Sequence, residues 1–238
     1  VDLAVEEISA AGGVNDAQVE SIVGDSGDTS TNIASQTVDR QLSQGVDAII
    51  GAASSAVSLT VIDKITSAGV QQVSPANTSP EFSTYPDKGL YARTAPPDTF
   101  QGQVLGDLVA GDGNTTMAIL ALDDAYGTGL ADNVEKAFTA AGGTIASKQI
   151  YDPKATSFEA EVSEAKASNP EAVVLIGFDE SSKVIQEMIK QGIGPNKVPL
   201  YLVDGNLSNT LYTDLPKGIM EGTQGTLPGA EASKEFQD

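Results

Sequence analysis

Residues 115–143 read TTMAILALDDAYGTGLADNVEKAFTAAGG, and they hold one complete unit of a fold. Thr115–Leu122 is an apolar run of strand length, Asp123-Asp124-Ala125-Tyr126-Gly127 is a polar turn, and Thr128–Ala141 is a helical stretch closed by two glycines. The landmarks of this unit and of the residues after it occur twice. Ala10-Ala11-Gly12-Gly13 returns as Ala140-Ala141-Gly142-Gly143, Asp25…Thr29-Ser30 as Asp152…Thr156-Ser157, and Ile50-Gly51 as Ile176-Gly177. The offsets are 140 − 10 = 130, 152 − 25 = 127 and 176 − 50 = 126. A nearly constant offset implies two similar lobes in tandem.

Working outward, short β-rich apolar runs alternate with amphipathic helical stretches along the whole chain, the pattern of an α/β fold with parallel sheets. Strands are expected at Val19–Gly24, Ala48–Ala53, Val70–Pro75, Thr115–Leu122, Thr144–Tyr151, Ala172–Phe178 and Pro199–Val203. Helices are expected at Thr29–Gln44, Val57–Ala68, Thr99–Ala110, Thr128–Ala141, Phe158–Ala167 and Ser181–Gln191. A further helix opens the chain, with Val1, Ala4, Val5, Ile8 and Ala11 at helical spacing. The run from Leu90 through Pro96-Pro97-Asp98 is the best candidate for a hinge, which makes 1–96 a first lobe and 97–227 a second. In the second lobe a strand starts 140 − 115 = 25 residues before its Ala-Ala-Gly-Gly. The matching strand of the first lobe is therefore expected roughly 15 residues before Val1.

Composition narrows the chemistry. The 238 residues include no His, no Cys and no Trp, and 13 basic against 33 acidic side chains leave a net charge of −20. Imidazole and thiolate metal sites, a Cys nucleophile and a Ser-His-Asp triad are thereby excluded, so neither a catalytic residue nor a metal or other cofactor is assigned. A charge of that size repels nucleic acid and anionic lipid. Partners should be neutral, zwitterionic or cationic small molecules.

In open α/β sheets, ligands collect at the carboxyl ends of the strands, where loops and helix starts present free N–H groups. The duplication points to five such loops. In Gly51-Ala-Ala-Ser54-Ser55 the small residues admit a ligand to the backbone, and Ser54 or Ser55 would start the next helix with a hydroxyl aimed outward. The same serine could equally be a helix cap and nothing more. In Ala76-Asn77-Thr78-Ser79-Pro80-Glu81 the last three residues form a helix start, while Ala76, Asn77 and Thr78 offer an acceptor and a donor suited to a zwitterion. In the second lobe the loops are Asp123–Gly127, Gly177-Phe178-Asp179-Glu180 and Asp204-Gly205-Asn206. Asp204 could pair with an ammonium or form an Asx turn, and Tyr126 could cover a ligand or sit at a rim.

These residues carry a resemblance. VDLAVEEISAAGG, GAASS, SPANTSPEF, DDAYGTGLA, VVLIGF and VDGN, in that order, resemble the leucine/isoleucine/valine-binding type of substrate-binding protein that serves ABC importers, over nearly all 238 residues. The resemblance implies two Rossmann-like lobes joined by a hinge, the periplasmic binding protein type I architecture. In this sequence's numbers it implies that Ser55 and Thr78 hold a ligand carboxylate and that the main chain of Ala76 and the side chain of Asp204 hold its ammonium. Tyr126 would cover the ligand on closure. Phe178 and Asp204 stand where leucine-type members commonly have Tyr and Glu. Also implied are a second hinge crossing near Leu227-Pro228, with 228–238 returning to the first lobe, and a chain that continues beyond both ends. The implied protein is monomeric, carries a signal or lipoprotein anchor, works in the periplasm or outside the cell, and delivers an amino acid, of branched-chain type first, to a membrane permease. Two rivals remain, the ligand-sensing domain of a receptor or regulator with this fold, and a hydrolase acting through carboxylates.

Overall fold

The computed structural model describes residues 1–229 and arranges them around two parallel sheets. After a first helix α1 (Asp2–Ala10), the first lobe runs α2 (Ile33–Ser43), β1 (Ala48–Ile50), α3 (Ser55–Ser67), β2 (Gln71–Ser74), a 3-10 turn (Pro80–Ser83) and β3 (Tyr91–Arg93). Its strand order is β1-β2-β3, all parallel. The second lobe runs α4 (Asp98–Gly111), β4 (Thr116–Leu122), α5 (Gly127–Ala140), β5 (Thr144–Tyr151), α6 (Glu159–Ala167), β6 (Ala172–Ile176), α7 (Ser181–Gln191), β7 (Leu200–Leu202) and β8 (Gln224–Gly225). Its order is β5-β4-β6-β7-β8, also parallel. The chain reverses direction across the sheet at β4, and the loops after β4 and β6 open at that switch point, where doubly wound sheets bind ligands.

The core of the second lobe follows from its sequence. In β6 all five residues, Ala172-Val-Val-Leu-Ile176, are buried, and in β4 everything from Met117 to Leu122 is buried. Strands covered by helices on both faces have no polar side to alternate with. Helices α4 and α5 then approach each other unusually closely. A Cβ on Gly102 would lie 2.5 Å from Asn133 Cβ, and one on Gly106 would lie 2.6 Å from Ala137 Cβ. Gly106→Leu should therefore force the helices apart and cost about 3 kcal/mol or more. A thermal melt should show the midpoint falling by about 6–12 °C, whereas an unchanged midpoint would mean that the close packing is not needed.

Most expected elements appear within a few residues of their bounds, and one expectation needs correction. Val19–Gly24 is not a strand. By the repeat it corresponds to β5, which is held only by β4, and among the described residues the first lobe has no counterpart of β4. Its carbonyls are met by side chains instead, Gln41 Nε2 donating to Ile22 O and Arg40 Nη2 to Val23 O. Helix α1 forms, but it has no buried residue, and Val1, Leu3 and Ile8 are exposed. Two strands were not expected, β3 within the hinge candidate and the two-residue β8. The proposed return of 228–238 to the first lobe lies outside the described residues from 230 onward.

Candidate functional site

The carboxyl ends of β1 and β2 carry the two first-lobe loops, and their polar groups lock onto each other. Gly51 leaves β1 at φ 126°, a conformation that needs glycine. Ser54 is the N-cap of α3, its hydroxyl accepting from Val57 N at 3.4 Å. Ser55, buried, accepts from Thr78 N at 3.1 Å and Ser79 N at 3.2 Å, so one hydroxyl fastens the second loop to the first. Its own proton remains for a further acceptor. Asn77 is fully buried and spent inside the protein. Its amide donates to Ala52 O and Ala53 O, and its Oδ1 accepts from the Tyr91 hydroxyl. Ala76 is exposed beside it, and its carbonyl accepts no hydrogen bond among the described residues. Arg93 holds the outer side of this loop, Nη1 donating to Ser79 O at 2.7 Å and Nη2 to Ser83 Oγ at 2.8 Å.

The second-lobe loops are built the same way. Asp124 Oδ1 accepts from Tyr126 N and Gly127 N and so caps the start of α5. Burial raises its pKa, and those two N–H groups offset part of the rise. Glu180 Oε1 accepts from Phe178 N and from the Tyr151 hydroxyl, which sets the turn after β6. Asn206, with no exposed surface, donates to Leu175 O and Ser181 Oγ and ties the loop after β7 to β6 and α7. These supports place the side chains that face the junction. The Tyr126 ring stacks on Phe178 with centroids 5.1 Å apart and planes 22° from parallel. The Tyr126 hydroxyl donates to Asp204 Oδ1 at 2.7 Å and accepts from Gly205 N at 3.2 Å. Burial, and then the Asp204 charge, push its pKa well above the ordinary tyrosine value, so it is a fixed donor at any working pH. Asp204 Oδ1 also accepts from Gln101 Nε2 at 3.0 Å, while its second oxygen accepts nothing among the described residues. Tyr126 is only 2% exposed, so the ring that reaches the surface of this pair is Phe178.

The two sets of loops meet. A Cβ on Gly129 would lie 2.9 Å from Pro80 Cδ, so the start of α5 packs on the 3-10 turn of the first lobe. Asp98 N donates to Thr78 O at 2.8 Å, joining the start of α4 to the second loop. Of the eight residues singled out in the sequence, Ser55, Ala76 and Thr78 thus stand on one side and Phe178, Tyr126 and Asp204 on the other. Ser54 and Asn77 serve the loops themselves. Sequence reasoning missed Asp98, Gln101 and Arg93. Asp98 follows two prolines at a helix start, where an acidic residue reads as ordinary dipole compensation, and neither Arg93 nor Gln101 belongs to a motif.

This arrangement offers hydroxyl and main-chain groups on one side and a carboxylate beside an aromatic pair on the other. It suits a small zwitterion with an apolar part. Among the described residues no cluster of His, Cys, Asp or Glu could hold a metal ion, and no helix is long and apolar enough to cross a membrane.

Comparison with known proteins agrees with the architecture. The profile of the family described as periplasmic binding protein matches residues 1–237. The leucine-, isoleucine-, valine-, threonine- and alanine-binding protein of Pseudomonas aeruginosa is 28% identical over 236 residues, covering 96% of this chain and 60% of the relative. A periplasmic binding protein type 1 from Bordetella pertussis Tohama I superposes with a TM-score of 0.83 at 24% identity, covering 94% of this chain and 61% of that one. The branched-chain amino acid transporter substrate binding protein LivJ of Streptococcus pneumoniae, solved in complex with isoleucine, superposes with a TM-score of 0.70 at 26% identity, covering 86% of this chain and 57% of that one. The chain thus spans less than two-thirds of the length of each of these three proteins. Two parallel α/β sheets with their loops converging at one junction, and a profile match along nearly the whole chain, make it a member of the periplasmic binding protein family, of the type I kind to which the leucine/isoleucine/valine-binding proteins belong.

Proposed function

We propose that this chain belongs to an extracytoplasmic substrate-binding protein of an ABC importer, which captures a small aliphatic amino acid between its lobes and presents the closed form to a membrane permease. The observation that carries the reading is that both loop sets reach the start of α4: Asp98 N donates to the carbonyl of Thr78, whose N–H is held by Ser55, and Gln101, three residues on, donates to Asp204. The Ser55 and Thr78 hydroxyls bind the ligand carboxylate, and Ala76 O and Asp204 bind the ammonium. Phe178, stacked on Tyr126, faces the apolar side chain, which is of the branched-chain type. The Pseudomonas relative, named for leucine, isoleucine, valine, threonine and alanine, and the Streptococcus protein, solved with isoleucine, support this choice. The protein acts as a monomeric binder and not as an enzyme, in the periplasm or anchored by lipid at the cell surface, and it needs no cofactor and no nucleic acid.

Closure about Thr94–Pro97 follows from ligand contacts that exist only when both sides are engaged. Small-angle scattering of the full chain with and without leucine, isoleucine or valine tests this. A smaller radius of gyration on adding one of them is expected. An unchanged radius at a saturating ligand concentration would contradict closure.

A further inference from the structure

Gln101 stands in the first turn of α4, buried, and both hydrogens of its side-chain nitrogen are committed. Nε2 donates to Asp204 Oδ1 at 3.0 Å and to Thr226 Oγ1 at 3.0 Å. Chemistry fixes the direction of both bonds. A carboxylate only accepts, so the nitrogen and not the amide oxygen must face Asp204, and the Thr226 hydroxyl then accepts the second N–H. Asp204 lies 103 residues and Thr226 125 residues further along the chain, so nothing in the local folding of α4 requires either contact.

Each partner of Gln101 has a distinct place in the molecule. Asp204 Oδ1 also accepts from the Tyr126 hydroxyl at 2.7 Å, so two donors from different helices reach one oxygen and fix the carboxyl plane. The second oxygen of Asp204 then keeps one direction. Thr226 directly follows β8, its N–H donating to Leu202 O at 3.2 Å, and the next residue, Leu227, is 56% exposed where the second crossing between the lobes is expected. The main-chain N–H of Gln101 donates to Pro97 O at 3.2 Å, the last residue of the first crossing. One residue therefore joins the acid of the candidate site to both places where the chain passes between the lobes.

We propose that Gln101 is a positioning residue, which holds Asp204 in line for the ligand and ties it through Thr226 to the second hinge crossing. This rests on the amino-acid reading of the same site and adds to it a route from the ligand to the hinge. A hydrogen bond to a charged acceptor is stronger than one between neutral groups, so Asp204 sets the position of the amide, and the amide sets that of Thr226. A ligand ammonium that engages Asp204 thus acts on the crossing through two hydrogen bonds. Closure is favoured because those contacts differ between the open and closed forms.

The test combines leucine titration calorimetry with native-state hydrogen exchange over residues 224–228, on the full chain and on Gln101→Leu, Thr226→Val and Thr226→Ser. Thermal melts check that each variant is folded. Gln101→Leu is expected to lose about tenfold or more in leucine affinity, and Thr226→Val, which leaves the Asp204 contact in place, about fivefold. Thr226→Ser keeps the accepting hydroxyl and should bind as tightly as the unaltered chain. Adding Thr226→Val to Gln101→Leu should cost nothing further, since the two changes break one connection. Without ligand, exchange over 224–228 should quicken by about fivefold or more in Gln101→Leu and Thr226→Val but not in Thr226→Ser. Unchanged affinity in Gln101→Leu, additive losses, or a Ser variant that behaves like the Val variant would each overturn the proposal. Unchanged exchange would do the same. Because exchange is measured without ligand, it judges the tie to the crossing by itself. An unaltered chain that binds no amino acid would instead defeat the amino-acid reading, and the wild-type titration alone reports that outcome.

Discussion

Asp204→Ala is expected to abolish amino-acid binding at micromolar ligand while leaving the chain folded. The carboxylate has two jobs. In the proposed complex its second oxygen meets the ligand ammonium, and through Oδ1 it holds the Tyr126 hydroxyl at 2.7 Å and Gln101 Nε2 at 3.0 Å. Truncation leaves a ligand cation without its counter-charge and a buried Tyr126 hydroxyl without its acceptor. Losing one partner of a desolvated, hydrogen-bonded charge pair costs about 2–5 kcal/mol, which is roughly thirtyfold to several-thousandfold in affinity. Asp204→Asn separates the two jobs, since the amide oxygen can still accept from Tyr126 and Gln101 while the charge is gone. It should lose most of the affinity with little change in melting temperature. An Asn variant that binds as tightly as the original would show that Asp204 is a structural acceptor only.

The second large effect is expected at Ser55. Its oxygen accepts from two main-chain N–H groups, Thr78 N and Ser79 N, in a place water does not reach. Ser55→Ala leaves both donors without a partner, each at about 1–3 kcal/mol, so the melting temperature should fall by about 4–24 °C. The loop bearing Ala76 and Thr78 loses its fastening at the same time, and the ligand carboxylate loses a hydroxyl donor. Affinity should drop along with stability. Ser54→Ala is the control, because Ser54 only caps α3, and its loss should cost about 1 kcal/mol with affinity unchanged. If the two variants behaved alike, Ser55 would be a second cap and not a site residue.

The repeat carried most of the fold. Ala10-Ala-Gly-Gly13 and Ala140-Ala-Gly-Gly143 mark helix ends because two glycines after a helical run stop it, and that signal survives whatever surrounds it. The long buried strands β4 and β6 were equally legible, since only strands covered on both faces are apolar throughout. Val19–Gly24 failed for the opposite reason. Its residues favour a strand, but a strand exists only beside a partner, and propensity does not report whether one is present. Strands β3 and β8, three and two residues long, are too short to show a period at all.

The candidate site divides along the same line. Ser55, Thr78 and Asp204 could be read as candidates because each lies in a loop or helix start that follows a strand. Asn77 looked equally available, yet its amide closes onto Ala52 O and Ala53 O, contacts set by tertiary structure and invisible in the local sequence. Tyr126 was read as a cover or a rim residue, and its ring is buried, stacked on Phe178 with its hydroxyl on Asp204. Asp98 looked like any first-turn acid. Only its burial and the absence of any partner for its carboxyl among the described residues set it apart.

The central claim is that the junction between the lobes binds an amino acid. Calorimetric titration of the full chain against leucine, isoleucine, valine, threonine and alanine tests it most directly. One of them is expected to bind with one-to-one stoichiometry at about micromolar affinity or tighter. A folded chain that takes up none of the five, nor any other amino acid, would contradict the account.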